Sequence, residues 1–177
     1  MGDELPLRAL IRRLLQPGEK LYAVVDGARD RKLATDPLAY HGLPTYSLFQ
    51  GPAAHTLEDV APRLVPLDVG SGYLERWSAH LGRSAGILLI SREERPPLWQ
   101  HLRGIFVVTD GDKNEYFFRF FDPRVLRPYV KTCTANDADE LFGPIRLILV
   151  ETDAPGSLLA CSAGEEGVRV EEMRLGA

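Results

Sequence analysis

Residues Gly82-Arg83-Ser84-Ala85-Gly86 spell the G-x-S-x-G pattern in which serine hydrolases place a nucleophile. That chemistry needs the serine on a sharp turn from a strand into a helix. Here a helical pattern precedes and an apolar strand pattern follows, the reverse order. A helix-to-strand loop rich in small residues is the better reading, with Ser84 kept as a candidate nucleophile. Asp26-Gly27 closes an apolar run, where α/β enzymes often hold a nucleophilic or metal-binding carboxylate. A haloacid-dehalogenase-type phosphatase wants a second aspartate two positions on, and Ala28 stands there. Asp26 therefore reads first as a carboxylate that accepts turn hydrogen bonds or pairs with an arginine. His41, His55, His80 and His101 show no metal-ligand spacing, and there is no glycine-rich phosphate loop, so no metal and no cofactor are expected.

The richest region is 115–131. It holds Tyr116, Phe117, Phe118, Phe120, Phe121 and Tyr129 around a single Arg119. An alternating strand would turn Tyr116, Phe118 and Phe120 to one face and Phe117, Arg119 and Phe121 to the other. If the second face is buried, the guanidinium needs a carboxylate, and both Asp122 and Asp26 are candidates. Removing a buried, paired Arg119 would then cost about 3–5 kcal/mol. Beyond it, Arg124, Arg127 and Lys131 recur at three- and four-residue steps as a basic stripe on the next helix. Aromatic and basic residues together suit single-stranded nucleic acid or a protein partner. Overall charge opposes the first. The 177 residues carry 21 Lys+Arg against 25 Asp+Glu, a net −4, and all of that excess lies in 151–177.

The elements that must position these residues follow from periodicity. Leu7, Leu10, Ile11, Leu14 and Leu15 predict an amphipathic helix over 4–15, interrupted by Arg8, Arg12 and Arg13 in a way no signal peptide tolerates. Leu21 to Val25 is a strand covered on both faces. A helix over 30–40 containing Pro37, a strand over 45–49, a turn or short helix over 56–61 and a strand over 64–67 come next. A helix over 70–81, a strand over 86–90 and a helix over 93–102 follow. A hairpin joins 106–109 to 115–121. Asp122-Pro123 opens a helix to about 132, and Thr134 caps another to 142. Strands are expected at 145–150 and 158–161, with a short one at 168–170. This is an α+β arrangement: a mixed sheet with helices packed on it, in one compact domain or one of two lobes. Residues 1–150 form the core and 151–177 an acidic segment whose short strands lie on or beside it. Apolar stretches are too short to span a membrane. Cys133 and Cys161 are too few for a disulfide scaffold, which fits a cytoplasmic protein.

Several segments in order resemble a known family. They are Leu21-Tyr22-Ala23-Val24-Val25-Asp26-Gly27-Ala28, Ser47-Leu48-Phe49-Gln50-Gly51, residues 61–67, Trp77, residues 86–91, Leu98 to Leu102, Phe117-Phe118-Arg119-Phe120-Phe121-Asp122-Pro123-Arg124-Val125-Leu126, and Phe142-Gly143-Pro144-Ile145. The set is similar to the effector chaperones, or adaptors, of bacterial type VI secretion. The resemblance implies a non-enzymatic cytoplasmic protein that binds the N-terminal part of a cognate effector and helps load it onto the VgrG spike protein. It implies polar motif positions at Asp26, Arg119, Asp122, Pro123 and Arg124, and aromatic ones at Tyr22 and Trp77. Phe117, Phe121 and Arg127 flank these, and all ten are expected to serve scaffold or docking roles. The competing reading is a small hydrolase or phosphatase-like enzyme using Asp26 or Ser84.

Overall fold

The strand Lys20–Val25 (β1) is the centre from which the rest is built, because its side chains enter two different cores. Leu21, Ala23 and Val25 face one apolar cluster, and Tyr22 and Val24 face the other. A strand covered on both sides loses the polar alternation of a half-exposed one, which is why its sequence is a continuous apolar run. The computed structural model describes residues 6–109 and 111–176.

Around β1 lies a seven-stranded sheet. Its other members are Tyr46–Ser47 (β2), Arg63–Leu67 (β3), Gly86–Ser91 (β4), Ile145–Glu151 (β7), Ser157–Gly164 (β8) and Gly167–Arg174 (β9). The order is β2-β3-β1-β4-β7-β8-β9, and each pairing is antiparallel. Val107–Thr109 (β5) and Glu115–Phe117 (β6) form a separate two-stranded hairpin. The fold is α+β: what is mixed is helix with sheet, not strand direction.

One face carries Pro6–Leu14 (α1), Arg31–His41 (α2) and Gly72–Ser78 (α4), which contribute Leu10, Ile11, Leu33, Tyr73 and Trp77 to its core. The other carries Arg95–Phe106 (α5), Pro123–Val130 (α6) and Ala135–Phe142 (α7), which contribute Leu98, Leu102, Leu126 and Phe142. Gly51–Thr56 (α3) is a short connecting helix. Pro37 sits inside α2 and cannot donate to the carbonyl four residues back. The Tyr73 hydroxyl takes that place, donating to Leu33 O at 2.8 Å. Burial pushes the Tyr73 phenol pKa upward, so it remains a donor.

Several expectations need correction. The strand expected over 45–49 is only two residues long; the turn or short helix expected over 56–61 is present as a 3-10 turn at Glu58–Val60, and the helix before it at 51–56 was not expected. Helix α5 runs on to Phe106. Strands β8 and β9 are eight residues each, longer than expected, and extend the main sheet. Residues 4 and 5 of the first helical pattern lie outside the described residues. Strand β9 forms one edge of the sheet, with Glu171 and Glu172 exposed there, charges that discourage unwanted strand pairing.

Candidate functional site

Asp26 follows the last residue of β1 and is 1% exposed. Its backbone N–H donates to Ala85 O at 2.8 Å, tying the strand end to the entry of β4. Its carbonyl accepts from the N–H groups of Arg29 and Asp30, closing a turn. The side chain has two partners. Oδ1 accepts from Ala28 N–H at 3.0 Å, and Oδ2 accepts from Arg119 Nη2 at 2.6 Å. Gly27 makes this turn feasible, since a Cβ there would stand 2.5 Å from Ala61 O.

Arg119 arrives from a direction its sequence neighbours do not suggest. Strand β6 ends at Phe117, two residues before it. Phe118 N–H donates to Phe106 O, Phe120 N–H to Phe118 O and Asp122 N–H to Arg119 O, so residues 118–122 coil into consecutive turns. The alternation expected over 115–121 therefore fails. Phe120 and Phe121 are both buried, whereas Phe117 is 63% exposed. Arg119 lies 5.8 Å from the ring centre of Phe121 and keeps 42% of its side-chain surface in water.

Asp122, also 1% exposed, is the N-cap of α6, with Pro123 buried in the first turn. Its Oδ1 accepts from Arg124 N–H and Arg124 Nε, both at 3.0 Å, and its Oδ2 accepts from Arg124 Nη2 at 2.7 Å. Arg119 Nη2 is 3.5 Å from the same Oδ2. Burial alone pushes the Asp122 carboxyl up. The hydrogen bonds from Arg124, with the charges of Arg124 and Arg119, outweigh it and hold the group below its ordinary value.

The result is a line of alternating charge, Asp26–Arg119–Asp122–Arg124, with the carboxylates buried and the guanidiniums at the surface. It ties the first strand of the sheet to the start of α6, across the aromatic segment. Chemically it is a brace, and it also presents two guanidinium edges to solvent.

The remaining candidates fall elsewhere. Tyr22 is buried in β1, and its hydroxyl donates to Glu93 O at 2.8 Å. Trp77 is buried in the opposite core, so the two aromatic motif positions lie on opposite faces of the sheet. Arg127 is no part of a solvated stripe. Its side chain is 14% exposed, Nη1 donates to Glu151 O at 3.0 Å and Nη2 pairs with Asp153. Lys131 is exposed.

Ser84 lies in the loop from α4 to β4, at φ 54°, in the helix-to-strand order the sequence indicates. Its backbone N–H donates to Glu151 Oε1 at 2.6 Å, and Gly82 N–H donates to Glu151 Oε2 at 2.6 Å. His80 is engaged at both ring nitrogens: Nδ1 is 2.8 Å from Arg76 O and Nε2 is 3.2 Å from Asp30 Oδ2. The Gly-rich segment thus wraps a buried carboxylate. Sequence reasoning missed Glu151, whose partners lie nearly seventy residues earlier in the chain.

It also missed a surface beside β2. Arg95, Trp99 and Arg103 recur at four-residue steps and so share one face of α5. Arg95 lies 4.2 Å above the Tyr46 ring, and Arg103 lies 4.2 Å above the Trp99 ring. Trp99 Nε1 donates to Ser47 O at 2.8 Å, occupying a carbonyl of the short edge strand. Further along, Phe106 stacks on Phe117 at 5.0 Å between centroids, and Phe49 touches both rings. The four-residue spacing was legible in the sequence; its packing against β2 was not.

Among the described residues, no helix is long and apolar enough to cross a membrane. Comparison with known proteins gives one match. The family described as "Domain of unknown function (DUF4123)" matches residues 21–140, about two-thirds of the chain. No curated protein and no solved structure matches. The matched span runs from β1 through most of α7 and includes Asp26, Arg119, Asp122 and Arg124. The chain therefore belongs to the DUF4123 family.

Proposed function

We propose that this chain is a non-enzymatic adaptor of type VI secretion: it binds the N-terminal region of a cognate effector in the cytoplasm and helps load it onto the VgrG spike protein. The observation that carries this reading is the β5–β6 hairpin. Val108, Tyr116 and Phe117 are exposed there, and Phe117 lies on the Phe106–Phe49 ring cluster rather than inside it. Exposed aromatic side chains with charged neighbours are characteristic of protein interfaces. A client segment that would otherwise aggregate is covered by such a surface and released when a better partner competes.

The Asp26–Arg119–Asp122–Arg124 brace supports the reading by fixing the segment that leaves the hairpin. An interface held rigid before binding loses less ordering entropy on association. In this account the charged motif is scaffold, and the aromatic face does the gripping. The resemblance over roughly 21–145 supplies the class of client.

Co-expression of the chain with the effector encoded beside its gene tests the proposal. The expected result is a soluble effector that co-purifies with this chain, and a ternary complex when VgrG is added. An effector equally soluble with and without this chain, and not retained by it, contradicts the proposal.

A further inference from the structure

We propose that the outer face of α5 is the surface that reads the client, with Arg95 and Arg103 receiving two carboxylates of the effector segment and Trp99 receiving an apolar side chain between them. This rests on the adaptor reading above and names the chemistry of the partner for that site.

The geometry is specific. Arg95 and Arg103 are two helical turns apart, about 12 Å along the axis. Each guanidinium lies over an aromatic ring at 4.2 Å from its centre, Tyr46 for Arg95 and Trp99 for Arg103. Stacking uses the face of a guanidinium and leaves its edge N–H groups for an acceptor. Among the described residues, neither arginine has a carboxylate within ion-pair distance. Arg119, Arg124, Arg127 and Arg146, by contrast, are each held by an acid. Arg103 Nε is buried and has no hydrogen-bond partner among the described residues.

The helix also leads directly into the exposed hairpin. Phe106 lies at the end of the same helix and carries Phe117 on its ring. Half-buried Trp, Tyr and Arg are the residue types that dominate binding energy at interfaces. The partner that fits is a polypeptide segment with an acid–apolar–acid pattern. The two arginines give positive charge to a face whose complement is negative, which favours a carboxylate-bearing segment over a basic one.

The test uses the full chain and the full-length effector encoded beside its gene, with affinity measured by titration calorimetry. The variants are Arg95→Glu/Arg103→Glu, Arg95→Gln/Arg103→Gln and Trp99→Ala. The glutamine pair keeps aliphatic stems over the rings, and thermal unfolding of each variant checks the fold. Wild type is expected to bind, the glutamate pair to bind roughly 100-fold more weakly, and the glutamine pair roughly 10-fold more weakly. Raising the ionic strength is expected to weaken wild type more than the glutamine pair. If wild type binds and all folded variants bind equally well, the α5 proposal is overturned while the adaptor reading stands. If the variants change only self-association of this chain, the face joins two copies and the proposal is likewise overturned. If wild type itself fails to bind, the adaptor reading fails first and the proposal falls with it.

Discussion

Arg119 Nη2 donates to Asp26 Oδ2 at 2.6 Å, across 93 residues of chain, while lying 3.5 Å from Asp122 only three residues ahead. The distant carboxylate is thus the primary partner and the adjacent one the secondary. The contact joins the end of the central strand to the turns that follow the hairpin.

Removing Arg119 leaves Asp26 buried with Ala28 N–H as its remaining side-chain donor. The guanidinium is 42% exposed, so water screens part of the attraction and moderates the loss. We expect Arg119→Ala to destabilise the fold by about 1–3 kcal/mol in urea unfolding, below the value for a fully buried pair. Asp26→Asn should remove much of the same energy, so the double variant should lose less than the two single losses combined. Strict additivity would show that the two residues do not communicate.

The pH dependence has a definite sign. Asp122, through Arg124 and Arg119, and Glu19, through its hydrogen bond with Arg146, are held below their ordinary pKa values in the folded chain. The folded state therefore binds fewer protons than the unfolded state across the carboxylate range. Their stabilisation is complete above that range and is lost as pH falls through it and below. We expect stability to decline below about pH 4.5. Asp122→Asn should be less stable than wild type at neutral pH and should approach it at pH 3. A constant gap between the two curves would contradict the assignment.

Glu151 satisfies the N–H groups of Gly82 and Ser84 from a 5%-exposed position. Glu151→Ala strands both donors and should cost about 2–4 kcal/mol. Ser84→Ala keeps the backbone donor and should change stability by less than about 1 kcal/mol. Thermal unfolding of the two variants checks the contrast, and a larger loss for Ser84→Ala would point to a role for its hydroxyl.

Gly27→Ala would place a methyl 2.5 Å from Ala61 O, a backbone atom with little freedom to retreat. We expect a loss of about 1–3 kcal/mol and a weakened Asp26–Arg119 contact, because Asp26 is the preceding residue. Unfolding midpoints of wild type, Gly27→Ala and Gly27→Ala/Arg119→Ala measure both effects. Wild-type stability in Gly27→Ala would show that the 26–30 turn has another conformation to relax into.

How much of this was legible in the sequence depends on the range of the interactions involved. Asp122-Pro123 marked the start of α6 and Thr134, which forms a capping box with Asp137, the start of α7, because caps are decided within three residues. The apolar run of β1 showed that both faces of the strand are covered. Arg119 could not be assigned between Asp26 and Asp122, since that choice depends on where β1 ends in space. The strand over 115–121 was overextended because five aromatics mimic β-propensity, while backbone turns at 118–122 send Phe120 and Phe121 both into the core. Arg127 read as a solvated stripe because its acceptors, Glu151 O and Asp153, belong to the far end of β7 and the turn after it. The α5 face was missed for the same reason: Tyr46 and Ser47 come from an edge strand of two residues.

Phe117 offers the most direct measurement. It is 63% exposed, so Phe117→Ser should leave the unfolding midpoint nearly unchanged. Size-exclusion chromatography with light scattering, on this chain mixed with the effector encoded beside its gene, should give a one-to-one complex for wild type and separate peaks for Phe117→Ser at low micromolar concentration. Separate peaks for wild type, or an undiminished complex with Phe117→Ser, would contradict the claim that this chain grips a polypeptide through its aromatic face.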